Sequence, residues 1–430
     1  MSEWKEFRLS KLCKIGSSKR IFSSEYVVSG IPFFRSKEII EKAFGDSISE
    51  SLFISEERFQ DIDKKFGSPN EGDILISSVG ARSGIPYRVK KEDGKFYFKD
   101  GNLIWLKEFS EDFNSFFLLY WMKSNIGQES LQSIMIGSAQ PALTIDGISN
   151  LFINIPDRRT QEEITDVLYC LDRKIENLRR QNETLETIAQ TLFKHWFIDF
   201  EFPDADGKPY KSSGGEMWRS AIGNIPEGWK VEKFGEYIDI QHGFNFKSED
   251  FVDEGDIVVR MGNFLTNGGL DFNVDKTKYF KGKVDKKFIL NSGDLVVVMS
   301  DVTQNGLILG NSGIIPSNNQ KYLLNQRVGK VSINQVLNKT FVYYLMMTKR
   351  YKHWIKNSAN STTVLNTSPS RIGEFDFFLP SNIHLLNRFE TSLHSLLKKK
   401  ETNIFQIQTL TKTREALLPK LMSGQLRIEE

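Results

Sequence analysis

Much of the equipment of a catalyst is missing from these 430 residues. Among 31 glycines there is no Gly-x-Gly, which excludes a dinucleotide fingerprint and a glycine-rich methyl-donor loop. Gly-Lys occurs at 94, 207, 282 and 329, followed by Phe, Pro, Val and Val. A P-loop needs Ser or Thr there to hold magnesium, so ATP hydrolysis by that route is excluded. The 12 prolines never adjoin, which removes the Asn-Pro-Pro-aromatic and Asp-Pro-Pro-Tyr motifs of amino-methyltransferases. Five histidines show no metal-binding spacing. Two cysteines, Cys13 and Cys170, give no disulfide framework and suit a reducing cytoplasm. No apolar run reaches the 18 residues of a membrane span, and the N-terminus lacks a signal-peptide core. The expected location is therefore cytoplasmic, with no membrane partner. A net charge of +2 neither demands nor excludes nucleic acid, because a phosphate-binding face can be local.

What is present is a repeat. Trp4-Lys5 returns as Trp229-Lys230, and Phe34-Arg35 as Val259-Arg260. Gly72-Asp73-Ile74-Leu75-Ile76 returns as Gly293-Asp294-Leu295-Val296-Val297. The run Leu151 to Pro156 returns as Phe375 to Pro380. The offset stays near 225 residues, so one unit is built twice. Short apolar runs bounded by Gly, Ser and Asn, such as 73–76 and 103–106, read as buried strands. Phe113 to Trp121 reads as a packed helix. The fold class is α+β.

After each copy the period changes. Thr160 with Glu163 forms an expected capping box. Ile164, Leu168, Leu171, Ile175, Leu178, Asn182, Leu185, Ala189, Leu192 and Trp196 then follow in steps of four and three, a coiled-coil seam. A helix from 160 to 198 would be roughly 57 Å long. The second stripe comprises Phe389, Leu393, Leu396, Ile404, Ile407, Leu410, Leu417 and Leu421, interrupted by Lys400, Asn403 and Arg414. The two helices would most simply pair antiparallel, with Leu171, Ile175, Leu178, Asn182, Leu185 and Leu192 facing Leu393, Ile404, Ile407 and Leu410. The alternative is a long surface helix packed on its own domain. The expected boundaries are a globular copy at 1–156, a helix at 157–201, a linker at 202–226, a second copy at 227–380 and a second helix at 381–430.

Pro156-Asp157 with Asp172-Arg173-Lys174 spells the acid-acid-lysine pattern of magnesium nucleases. Those sites need the second acid and the lysine on a strand, whereas here they fall on divergent faces of a helix. Loops rich in guanidinium, amide and hydroxyl groups are better candidates, because such groups grip phosphate and read base edges. In the first copy these are Arg35-Ser36-Lys37, Ser77-Ser78, Arg82-Ser83, and Ser138 with Gln140. In the second they are Arg260 with Asn263, Ser300 through Thr303, Gln304 and Asn305, and Thr362-Thr363 with Asn366. The clusters fall at corresponding repeat positions but differ in side chain, as two modules reading different sequences would; each could also be merely solvated. Lysines at 276–287, and Lys349, Arg350, Lys352 and Lys356 around Tyr351 and Trp354, could supply phosphate attraction.

The arrangement resembles the specificity subunit of type I restriction–modification systems over essentially the whole chain. Its marks are Gly30-Ile31-Pro32-Phe33-Phe34-Arg35, the two Gly-Asp runs, Asn325-Gln326 ahead of a strand, and Ile155-Pro156 followed by Gln161 and Ile164. Asp157 and Thr160 depart from the family's usual proline and glutamate, and the glutamine is absent after Pro380. The resemblance implies two tandem target-recognition domains with pseudo-twofold symmetry. It also implies two spacer helices paired as an antiparallel coiled coil, and no catalysis in this chain. Each domain would bind half of a bipartite site on double-stranded DNA. The helices would dock two adenine-DNA methyltransferase (modification) subunits carrying S-adenosylmethionine, joined by restriction/translocase subunits using ATP and magnesium. The rivals are a single-chain DNA endonuclease or methyltransferase, and a coiled-coil scaffold without DNA binding.

Overall fold

A computed structural model describes residues 4–45, 48, 51–137, 140–272, 277–302, 306–359 and 364–428. The chain divides into two compact units, Met1–Leu178 with Gln406–Glu430, and Arg179–Phe405. Among the described residues no helix is long and apolar enough to cross a membrane.

In the first unit, an antiparallel sheet runs in the order Lys14–Gly16, Leu103–Lys107, Ile74–Ser77, Pro86–Arg88. A second sheet runs Tyr26–Val27, Leu52–Ile54, Ile31–Phe34, Tyr97–Phe98, its last pair parallel. Lys5–Arg8 pairs with Phe152–Ile155 and so ties the two ends of the domain together. Ile74, Leu75 and Ile76 are all inaccessible to solvent, so this strand is buried on both faces and carries no polar alternation.

The second unit repeats this topology. Its first sheet runs Ile238–His242, Val328–Ile333, Leu295–Val298, Ser312–Ile314. Its second runs Phe251–Val252, Lys278–Phe280, Asp256–Val259, Tyr322–Leu324, again with one parallel pair, and adds the edge strand Ile289–Leu290. Lys230–Lys233 pairs with Asp376–Leu379. The stretch 202–226 contains a hairpin, Met217–Ser220 with Gly223–Pro226, and Phe202 stacks on Tyr210 at 4.7 Å and on Trp229 at 5.4 Å.

The recurrent Gly-Asp motif is a turn. Gly72 and Gly293 have φ of +95° and +78°, which only glycine adopts cheaply. Asp73 accepts from the Asn70 N–H at 3.0 Å and Trp105 Nε1 at 2.8 Å; burial nevertheless pushes its carboxyl above the usual range. Asp294 accepts from the Asn291 N–H at 2.8 Å and pairs with Lys330 Nζ at 2.6 Å.

The long helices span Arg158–Phe197 and His384–Met422. The first is capped by Asp157 and not by Thr160: Asp157 Oδ1 accepts from the Thr160 N–H at 3.0 Å, which holds that carboxyl below its usual range. The helix therefore starts before the expected capping box, with Thr160 at its third position. Gln161 is fully buried and staples the helix head, accepting from the Asn114 N–H at 2.9 Å and donating to Pro156 O at 2.9 Å. Ile164, Leu168, Ile175, Leu178, Ala189 and Trp196 are buried, while Leu171, Asn182, Leu185 and Leu192 are half-buried. On the second helix Leu393 is buried and Ile404, Ile407 and Leu410 are half-buried. Leu192 and Leu393 join one core in the second unit, where Phe193 and Phe197 pack on Phe389 at 5.6 and 5.1 Å.

The residues that interrupt the second stripe are matched by polar partners on the first helix. In the second unit Asn403 donates to Asn182 Oδ1 at 3.0 Å, and Lys400 pairs with the buried Glu186. As the number rises on one helix it falls on the other, so the pair is antiparallel. Glu186 also accepts from Tyr343 Oη at 3.2 Å and Gln190 Nε2 at 2.9 Å. In the first unit Arg414 pairs with Asp172 at 2.7 Å, and Tyr120 Oη donates to Asp172 at 2.9 Å. Asp157 and Asp172 are thus a helix cap and an ion-pair partner, which accounts for the nuclease-like spelling.

Candidate nucleic-acid interface

Three clusters scattered in the first copy meet around one turn. Arg35 ends the strand Ile31–Phe34, and the helix Ser36–Phe44 starts immediately after it. Ser36 Oγ donates to Asn102 O at 2.7 Å, and the same carbonyl accepts from the Ser78 N–H at 2.9 Å. The Gly80 N–H donates to Pro141 O at 3.2 Å, which brings the exposed Gln140 to the same corner.

Within that corner the side chains play different parts. Ser77 and Ser78 are buried. Ser77 Oγ donates to Arg82 O at 2.5 Å and accepts from the Ile85 N–H at 3.0 Å, while Ser78 Oγ donates to Gly101 O at 3.2 Å. They shape the loop that leaves Arg82 exposed, with Ser83 against Met135. Lys37 is exposed. Arg35 is held by the buried Glu38, whose carboxylate accepts from Nη2 at 2.7 Å, Nε at 3.2 Å and the Arg35 N–H at 2.7 Å.

The second copy builds the same corner from other residues. The Arg260 N–H donates to Asn263 Oδ1 at 2.9 Å, so Asn263 stands where the first copy has Glu38. Asn263 is fully buried and donates to Asp271 O at 3.1 Å. The Met299 N–H donates to Arg327 O at 2.9 Å, so Arg327 stands where the first copy has Asn102. Ser300 is buried and pairs with the exposed Asn366 across a short ladder. Arg327 is exposed and was not among the candidates read from the sequence; the near-constant repeat offset aligns it with Asn102.

Beneath this corner lies the helix Lys349–Asn357. Lys352 Nζ is buried without a hydrogen-bond partner among the described residues, and burial pushes its pKa from 10.5 down to about 7, opposed by Asp301. The corresponding Gln128 donates to Gly84 O at 3.1 Å and Met122 O at 2.5 Å. Lys349 and Lys356 are exposed, whereas Arg350 lies over Phe378 at 4.7 Å. Lys278, Lys281, Lys283, Lys286 and Lys287 are exposed. Ser138, Thr303, Gln304, Asn305, Thr362, Thr363 and Lys276 lie outside the described residues. Among the described residues no cluster of His, Cys, Asp and Glu could hold a metal ion.

Each copy of the repeated scaffold thus presents one corner of donor groups, and comparison with known proteins gives the family. The chain matches the type I restriction modification DNA specificity domain over residues 1–187 and 226–404. It belongs to that family, the non-catalytic specificity subunits of type I restriction–modification systems. It is 29% identical to the MjaIX specificity subunit of Methanocaldococcus jannaschii over 73% of this chain and 69% of that one. It is 23% identical to the HindI specificity subunit of Haemophilus influenzae over 99% of this chain and all of that protein. The crystal structure of the S subunit from M. genitalium shares the fold, with a TM-score of 0.53 at 16% identity over 98% of this chain and 96% of that one.

Proposed function

We propose that this chain reads a bipartite, asymmetric site on double-stranded DNA, with each recognition domain (1–156 and 227–380) contacting one half through the major groove. The observation that carries this reading is the pair of corresponding corners. The backbone hydrogen bonds recur, but Glu38 and Asn102 are replaced by Asn263 and Arg327. A conserved frame with exchanged side chains suits two different half-sites, because base edges are told apart by donor and acceptor pattern.

The long helices act as the ruler between the halves and dock two adenine-DNA methyltransferase subunits. Those subunits carry S-adenosylmethionine, and restriction/translocase subunits supply ATP- and magnesium-dependent steps in the cytoplasm. The test is to co-express the chain with a modification subunit and sequence the methylated DNA. The expected motif has two short specified tracts separated by unspecified base pairs. A single continuous or fully palindromic motif would contradict the proposal.

A further inference from the structure

Arg260 and Arg327 form a charge pair that no carboxylate among the described residues neutralises. Neither guanidinium has a carboxylate partner among the described residues. Arg260 is half-buried, its Cζ 5.1 Å from the centre of the Phe251 ring. Arg327 reaches back to the neighbouring residue, its Nη1 3.8 Å from Met261 Sδ. Backbone bonds fix both side chains at their roots: the Arg260 N–H on Asn263 Oδ1, the Arg327 N–H on Asn325 Oδ1 at 3.2 Å, and Arg327 O on the Met299 N–H. Burial first, and the like charge of Arg327 after it, lower the pKa of Arg260.

The first copy shows what a neutralised version looks like. There the cap residue is a glutamate, and its carboxylate takes both the Arg35 N–H and the Arg35 guanidinium. The second position is the neutral Asn102. In the second copy the cap is the amide of Asn263, which keeps the backbone bond but supplies no charge. Two like charges left adjacent are unfavourable in the free protein, and a partner rich in oxygen acceptors relieves that cost. Guanidinium groups match such partners through paired N–H donors, on phosphate or on the O6 and N7 edge of guanine.

We propose that Arg260 and Arg327 form a two-guanidinium clamp for an acceptor edge of duplex DNA, unique to the second domain. This rests on the reading of the chain as a DNA-binding subunit. The clamp is open before DNA arrives, whereas its counterpart in the first domain is already closed by Glu38.

The test uses the full chain and duplexes containing the methylated motif, or pooled random duplexes at low salt. The variants are Arg327→Asn, which installs the first-copy residue at an exposed position, and Arg260→Lys, which keeps a charge but removes the fork. Arg327→Asn should weaken binding by about tenfold or more, with the unfolding midpoint unchanged. A phosphate partner would make the loss uniform across sequences and flatten the log–log salt slope by about one. A guanine partner would confine the loss to duplexes carrying one base pair of one half-site. Arg260→Lys should also bind more weakly than the parent. Binding by both variants within about twofold of the parent would overturn the clamp and leave the general reading intact. Failure of the parent itself to bind any duplex at low salt would overturn both.

Discussion

The two recognition domains share strand order, turn and hydrogen-bond frame, yet they solve the same electrostatic problem in opposite ways. In the first, a buried Glu38 satisfies both the backbone and the guanidinium of Arg35. In the second, Asn263 does only the backbone half of that work, and Arg327 adds a second cation. Beneath the corners the contrast repeats. Gln128 ties two carbonyls together, while Lys352 holds in the same place an amine with no hydrogen-bond partner among the described residues. Duplication kept what folds the unit and exchanged what its surface presents.

The largest expected effect separates the two units through their helix nodes. Glu186 is 3% exposed and serves Lys400, Tyr343 and Gln190, so Glu186→Ala strands a lysine and two donors. It should cost about 3 kcal/mol, the lower end for breaking a buried pair. Asp172 and Arg414 keep about a quarter of their side-chain surface in water, and Asp172→Ala should cost about 1 kcal/mol. Denaturant unfolding of the two variants measures both, and equal losses would break the contrast.

A smaller effect, opposite in sign between the copies, is expected one layer below the corners. Lys352→Met removes a buried amine that finds no hydrogen-bond partner among the described residues, and should stabilise the protein at pH 7 by about 1–3 kcal/mol. Gln128→Met removes two hydrogen bonds and should destabilise it by about 1 kcal/mol. The pH dependence follows from the depressed pKa of Lys352. Between about 7 and 10.5 the unfolded chain binds more protons than the folded one, so stability rises with pH through that window and is lost as pH falls towards 7. Thermal melts across that range should show the rise in the parent and a flatter profile in Lys352→Met.

The smallest effect is expected from opening the closed corner. Glu38→Gln keeps an acceptor for the Arg35 N–H and removes the carboxylate charge that Glu38 sets against the guanidinium. DNA binding by the full chain should tighten, and its log–log salt slope should steepen by about one charge contact. An unchanged slope would mean that the Glu38 carboxylate does not set the charge this corner offers to the duplex.

The scaffold was legible in the sequence because its signals are local. Gly72-Asp73 and Gly293-Asp294 mark the same positive-φ turn, and the apolar runs after them are the buried strands. The two long helices were legible for a similar reason, since a 3.5-residue period survives without knowledge of the partner. The polar breaks at Lys400, Asn403 and Arg414 gained their meaning only when Glu186, Asn182 and Asp172 appeared opposite them. At the corners, residue type pointed to loops that the fold brings together and could not tell which side of each loop faces outward. Ser77, Ser78, Ser300 and Asn263 have the chemistry of DNA contacts but are buried in the turns. Arg327 escaped notice because its neighbour in space, Arg260, lies 67 residues away in the chain.

The central claim is that each copy reads its own half-site while the helices set the distance between them. It is tested most directly by sequencing the methylated motif made with a modification subunit and the chain carrying Arg327→Asn. The account predicts that one half of the motif relaxes or is modified more weakly, while the other half and the spacer length stay as in the parent. A change in the spacer, or the same relaxation in both halves, would contradict it.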